Sequence, residues 1–194
     1  TGSRCAGTDA QNLSKFLTNK VINVAHMRIA HVAPVIHPVP PSTYGGTERV
    51  IADLATAQTR DGHDVTLFGP ADSTLPDVRQ IGHYRSLAWH ERQAGDAPPG
   101  LPAVLEAQLL HDLLAFGGEH DVIHLHGSAH ASGVAKTLGI PVFRTIHWRA
   151  DEADHTEHFR AFLRERIIAI SQSQAGAVPA ANLAGVVHHG MPAD

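Results

Sequence analysis

The sequence predicts an α/β fold, a mostly parallel sheet with helices on both faces. Three observations carry that expectation. Short apolar, β-compatible runs recur along the chain, amphipathic runs with helical spacing separate them, and glycine or proline marks nearly every junction. Strands that are apolar on both faces and alternate with helices belong to parallel sheets rather than to meanders of hairpins. At 194 residues the chain holds one good core, about one domain of ~150 residues plus a tail.

Residues 1–26 lack periodicity, and Met27 stands directly before the first apolar run. They are read as a leader or added extension, expected to be mobile, and 27–194 as the folded domain. Arg28 to Pro34 is the first strand, stopped by its proline. A loop with Pro38, Pro40 and Pro41 follows, expected to be stiff and exposed. Gly45 and Gly46 then open a helix, with Thr47 as the expected N-cap and Val50, Ile51, Leu54 and Ala55 on one face. It runs to about Asp61 and stops at Gly62, where a left-handed cap is commonly placed. Asp64 to Phe68 is the second strand, closed by Gly69-Pro70, so the first three elements form a right-handed βαβ unit.

Asp72 to Gly100 is less regular, with a short strand expected around Gln80 to Tyr84. Leu101 to Phe116 is the strongest helix, its apolar stripe running through Leu105, Leu109 and Leu113. Strands are expected at Asp121–His126, Val142–His147, Ile167–Ile170 and Gly185–His188. Between them come a small-residue helix from Ala129 to Leu138 after Gly127-Ser128, a charged helix from Asp154 to Arg166, and a short helix capped by Ser171.

Composition removes several function classes. The net charge is −4 with 16 histidines neutral, and no basic block occurs, so there is no nucleic-acid footprint. Cys5 is the single cysteine and forms no internal disulfide, which makes a reducing cytoplasm the default. No apolar run approaches the ~18 residues of a membrane span, so any membrane contact would be peripheral. The first strand carries no G-x-G-x-x-G, and neither a G-x-x-x-x-G-K-[ST] loop nor a G-x-S-x-G elbow is present.

In open parallel sheets ligands sit beyond the carboxyl ends of the strands. That rule selects the Gly45-Gly46 loop, His126-Gly127, His147-Trp148, Ser171 and His188-His189. Unsatisfied amides at a helix N-terminus attract anions, and two glycines let one approach the backbone, although the pair also serves as a plain turn. His147, Trp148 and Arg149 suit sugar chemistry: imidazole bonds a hydroxyl, indole stacks on a sugar face, guanidinium pairs with an anion. The same residues also read as a satisfied strand-end histidine with Trp148 covering the core. His124 and His126, two apart on a strand, share a face as a metal pair would, with His147, Asp151 or His188 as a third ligand. A strand buried on both faces often carries a hydrogen-bonded histidine and no carboxylate lies beside the pair at ligand spacing, so from these residues the metal site is the weaker of the two readings.

Taken in order, Met27-Arg-Ile-Ala-His-Val-Ala-Pro34, the proline loop, Tyr44-Gly-Gly-Thr-Glu48, Gly62-His-Asp-Val-Thr-Leu-Phe68, Asp121-Val-Ile-His-Leu-His126, Gly139-Ile-Pro-Val-Phe-Arg-Thr-Ile-His147, Ile168-Ala-Ile-Ser171 and Val187-His-His-Gly190 resemble the N-terminal domain of family 4 retaining glycosyltransferases of the GT-B fold. The resemblance implies a Rossmann-like, acceptor-side domain facing a second domain across a cleft. It implies that Gly45 and Gly46 lend amides to the diphosphate of a nucleotide-sugar donor, and that His147 contacts the donor sugar as the catalytic-site residue. Glu48, His126, Trp148 and Arg149 become possible cleft or acceptor contacts. The resemblance implies no metal and no cofactor beyond the nucleotide-sugar substrate, because amides, helix dipoles and basic side chains stabilise the leaving diphosphate. The family's nucleotide pocket, its Lys/Arg pair and its E-x7-E element are not found in these residues. The expectation is therefore half of a donor site, inactive alone, completed by a C-terminal donor domain or a partner subunit. The competing readings are a non-catalytic sugar- or nucleotide-binding module and a histidine-metal hydrolase.

Overall fold

The computed structural model describes residues 25–127 and 129–190. The leader therefore lies outside the described residues up to position 24, as does Ser128. Seven strands form one sheet: β1 Arg28–Val32, β2 Asp64–Phe68, β3 Arg79–Ile81, β4 Val122–Leu125, β5 Val142–Thr145, β6 Arg166–Ala169 and β7 Leu183–Val186. Their spatial order is β3-β2-β1-β4-β5-β6-β7 and every pairing is parallel. The chain winds outward from β1 to β3, then returns to place β4 on the other side of β1. This is the Rossmann-like topology, with its reversal point between β1 and β4.

The connecting helices are α1 Gly46–Arg60, α2 Leu87–Ala94, α3 Leu101–Phe116, α4 His130–Thr137, α5 Ala153–Ala161 and α6 Gln172–Ala175. The helix α1 buries Ile51, Ala52 and Ala55 against Val65 and Leu67 on one face of the sheet. On the opposite face, Leu105, Leu109 and Leu113 of α3 and Ala131 and Ala135 of α4 pack on Ala30, Val32, Ile123 and Leu125. Alternation along each strand sends neighbouring residues to opposite faces, and the register makes His31, Leu67 and His124 adjacent in space on the α1 face. Among the described residues, no helix is long and apolar enough to cross a membrane.

Three expectations need correction. The proline loop is half buried rather than exposed throughout: Val35, Pro38, Val39 and Pro41 are covered, while Ile36, Pro40 and Ser42 face solvent. Val39 packs into the α1 core, and its backbone is tied at both ends, its amide donating to Ser73 Oγ at 3.0 Å and its carbonyl accepting from the Thr74 amide at 2.8 Å. The charged helix ends at Ala161, because the Phe162 carbonyl is taken by Asn182 Nδ2 at 2.9 Å and the chain turns so that Glu165 points inward. Within Asp72–Gly100 lies α2, capped by Ser86, whose Oγ accepts from the Trp89 amide at 3.1 Å.

Candidate functional site

The turn into α1 is built around Gly45. Its φ of +153° lies outside what L side chains readily adopt. A Cβ there would stand 2.7 Å from Pro41 Cβ and 2.9 Å from Glu48 Oε2, so the position requires glycine twice over. Gly45 is itself the N-cap and the helix begins at Gly46, two residues earlier than a Thr47 cap would place it. No side chain caps the helix, and a Cβ on Gly46 would meet nothing within 4 Å. The two glycines thus differ: Gly45 shapes the turn, while Gly46 leaves the helix N-terminus open. Glu48 folds back beneath this turn and is buried, and burial raises its carboxyl pKa.

The second part of the site is a line of imidazoles across the strand ends. His31 on β1, His126 just after β4 and His147 just after β5 come from adjacent strands of the sheet. His31 Nδ1 and His126 Nε2 lie 3.0 Å apart, as do His126 Nδ1 and His147 Nε2. At the far end, His31 Nε2 lies 2.6 Å from Gln58 Oε1 on α1. His124 stands beside the line, with Nε2 bonded to Thr145 Oγ1 at 2.7 Å. His189 stacks on His147 with ring centroids 5.2 Å apart. Burial pushes His31 and His147 down to about 4 and His124 down to about 3, and drives His126 well below the ordinary value. All four are neutral imidazoles at physiological pH.

Ring nitrogens of His31, His124 and His126 come within 4.8 Å of one another, close enough for one ion. The third imidazole is thus His31, and not His147, Asp151 or His188. The surroundings suit a hydrogen-bonded chain better. His31 Nδ1 and His126 Nε2 already bond each other, and the positive charge of Arg144 acts on His126.

Trp148 is 55% exposed, which removes the reading that it covers the core. Arg149 is spent on a two-pronged pair with Asp151, at 2.9 and 2.8 Å. The backbone carrying His147 is pinned by Gln174, whose Nε2 donates to the carbonyls of Ile146 and Trp148 and whose Oε1 accepts from the Ile170 amide. On the opposite face Arg144 is buried with Glu165, Ser132 and His158, and it also donates to the Gly127 carbonyl in the loop after β4. Burial works to raise the Glu165 pKa, but His158, Arg144 and Ser132 hold it below the usual range. His31, Gln58, Gln174 and this Arg144 cluster were not singled out from the sequence. Between α1 and β4–β6 opens a groove of about 760 Å³ lined by Leu54, Gln58, His124, Phe143, Thr145 and Ile168, among others.

A family model described as Glycosyltransferase Family 4 matches residues 44–191, most of the chain. The chain belongs to glycosyltransferase family 4. No curated protein matches it significantly. Among solved structures, this family 4 chain is similar to HepE from Anabaena in complex with UDP-glucose, with 18% identity and a TM-score of 0.50, over 86% of this chain and 44% of that one. The same protein in complex with UDP and glucose aligns with 19% identity and a TM-score of 0.52, over 86% and 45% of the two chains. At these identities the likeness establishes the shared fold. The family 4 chain thus spans less than half the length of the solved structures it matches.

Proposed function

We propose that this chain is the acceptor-side domain of a retaining glycosyltransferase, which moves a sugar from a nucleotide-sugar donor to an acceptor hydroxyl once a donor-side domain or partner subunit completes the cleft. The observation that carries the reading is the uncapped N-terminus of α1, with Gly45 locked in its turn and Gly46 open, on the same edge of the sheet as His147. Amides there bind the diphosphate and offset the charge that develops as the anomeric C–O bond breaks, while the acceptor oxygen bonds to the same face of the sugar and its proton passes to the departing phosphate oxygen. His147 contacts the sugar, and the exposed Trp148 offers a stacking surface. Arg149 is held by Asp151 and acts at the acceptor side only by exchanging that partner. No metal enters the scheme, and a cytoplasmic setting suits the lone Cys5. The structural neighbours' UDP-glucose supplies the first donor to try.

The test compares transfer from UDP-glucose by this chain alone, by the chain joined to a donor-side domain, and by the joined protein carrying His147→Ala. The expected pattern is no turnover, turnover, and its loss with the fold intact. A joined protein that binds UDP-glucose yet never transfers or hydrolyses it sinks the transferase reading in favour of a binding module. Undiminished turnover in the His147→Ala protein removes that residue from the mechanism.

A further inference from the structure

The line from Gln58 to His147 has a direction. A neutral imidazole carries one N–H and one bare nitrogen, so each hydrogen bond in a chain of such rings dictates the next. Gln58 presents Oε1, an acceptor, 2.6 Å from His31 Nε2. The proton of His31 therefore sits on Nε2 and its Nδ1 is bare. That bare Nδ1, 3.0 Å from His126 Nε2, requires the proton of His126 to be on Nε2. His126 Nδ1 is then bare in turn and accepts from His147 Nε2 at 3.0 Å.

The other end of the line gives the same answer independently. His147 Nδ1 is buried and has no hydrogen-bond partner among the described residues. Turning the Gln58 amide around would reverse every bond and leave His147 with a buried, unpaired N–H. Orphaned donors are rarer and costlier than an acceptor lone pair without a partner. Both ends place the bare nitrogen at His147 Nδ1.

We propose that Gln58, acting through His31 and His126, holds His147 in its Nε2–H tautomer, so that the ring nitrogen His147 leaves unpaired is Nδ1, as a bare lone pair. Gln58, His31 and His126 are positioning residues in this scheme. The consequence is a selection rule: Nδ1 is covered by its surroundings here, and a group that reaches it when they shift must bring a hydroxyl or N–H, because an anionic oxygen offers no proton. A sugar hydroxyl meets that rule, whereas a phosphate or carboxylate oxygen does not. His189 lies against the ring face of His147 and leaves its edge bonds unaltered. The ligand half of this inference rests on the glycosyltransferase reading; the tautomer half does not.

Long-range 1H–15N correlation spectra of the 194-residue chain with 15N-labelled histidine, recorded near pH 7.5, separate N–H from bare ring nitrogens residue by residue. The expected result is an Nε2–H tautomer with a bare Nδ1 at His31, His126 and His147. In Gln58→Met, which keeps the size and removes the acceptor, the His147 signals should become those of mixed tautomers, two rings beyond His31. His124, which bonds Thr145 instead, should not change and reports an intact fold. An Nδ1–H on His147 in the wild-type chain overturns the proposal without any variant. So does a His147 unaffected by Gln58→Met in a folded protein, or stoichiometric zinc on the His31 and His126 nitrogens. None of these readouts involves turnover, so failure here is distinguishable from failure of the transferase reading.

Discussion

Acidification should unfold this protein earlier than its modest net charge suggests, and the cause is the buried imidazole line. His31, His124, His126 and His147 are neutral in the fold and would each take up a proton in the unfolded chain below pH 6.5, their ordinary value. The unfolded state thus binds more protons, so stability is fully present above pH 6.5 and is lost as pH falls toward the folded values, about 4 for His31 and His147. Each such histidine contributes a slope of about 1.4 kcal/mol per pH unit once its unfolded form is protonated. Two of the four acting independently would remove about 5 kcal/mol by about pH 4.5, the lower end of an ordinary domain's stability of roughly 5–15 kcal/mol. Urea unfolding followed by circular dichroism at a series of pH values from 7.5 to about 4.5 measures the slope. His31→Gln removes one titrating ring and should lower that slope by about one histidine's share. Stability that stays flat between pH 7 and 5, or a slope untouched by His31→Gln, would refute the reasoning.

The remaining predictions concern single sites. Gly45→Ala should cost about 1–3 kcal/mol, because it combines a strained φ with contacts to Pro41 and Glu48 under 3 Å, whereas Gly46→Ala, in open space at a helix start, should be neutral or stabilising by up to about 1 kcal/mol; thermal melts of the pair decide, and equal losses would remove the distinction. Glu165→Ala should destabilise by about 3–5 kcal/mol, since it strips Arg144 and His158 of a shared buried carboxylate, and chemical denaturation measures it. Ser86→Ala should cost about 1–2 kcal/mol, as it removes the α2 cap and the bond to Asp72 Oδ2 at 2.7 Å; amide exchange across Leu87–Ala94 should accelerate with it.

How much was legible follows from which forces each feature depends on. The strands at Arg28–Val32 and Asp64–Phe68 were readable because their apolar runs are bounded by proline, glycine or charge, all local signals. The parallel Rossmann-like sheet followed from alternation of such runs with helices. The helix α2 was not readable, because eight residues give little periodicity and its anchor is Asp72, 14 residues upstream, bonding both the amide and the hydroxyl of Ser86. His126 and His147 were flagged by their places at strand ends. His31 was not, because its partner is 95 residues away and the contact exists only through the pairing of β1 with β4. Gln58 is one half-buried polar residue in a helical turn of mixed exposure, and no local pattern marks it. Arg149 is legible as a guanidinium that pairs with an anion, but only the folded loop shows that the anion is Asp151.

The position of the imidazole line follows from the topology rather than from a coincidence of composition. Neighbouring parallel strands stand about 4.8 Å apart, roughly what one imidazole and a hydrogen bond can bridge. The order β1-β4-β5 therefore lets a histidine on each strand touch the next, provided all three point to one face. They do: His31 pairs with His124, His124 with Phe143, and His126 and His147 lie an even number of residues beyond those partners. A shift of one residue in either register would send one ring to the face of Leu105 and Leu109 and break the line. The α1 helix, which opens at Gly46, supplies Gln58 near its other end, on the same face. One helix thus presents its N-terminal amides at the candidate diphosphate site and, about three turns later, the acceptor that orients the histidines. A substitution that tilts α1 should therefore disturb anion binding and the His147 tautomer together, whereas Gln58→Met should disturb only the second.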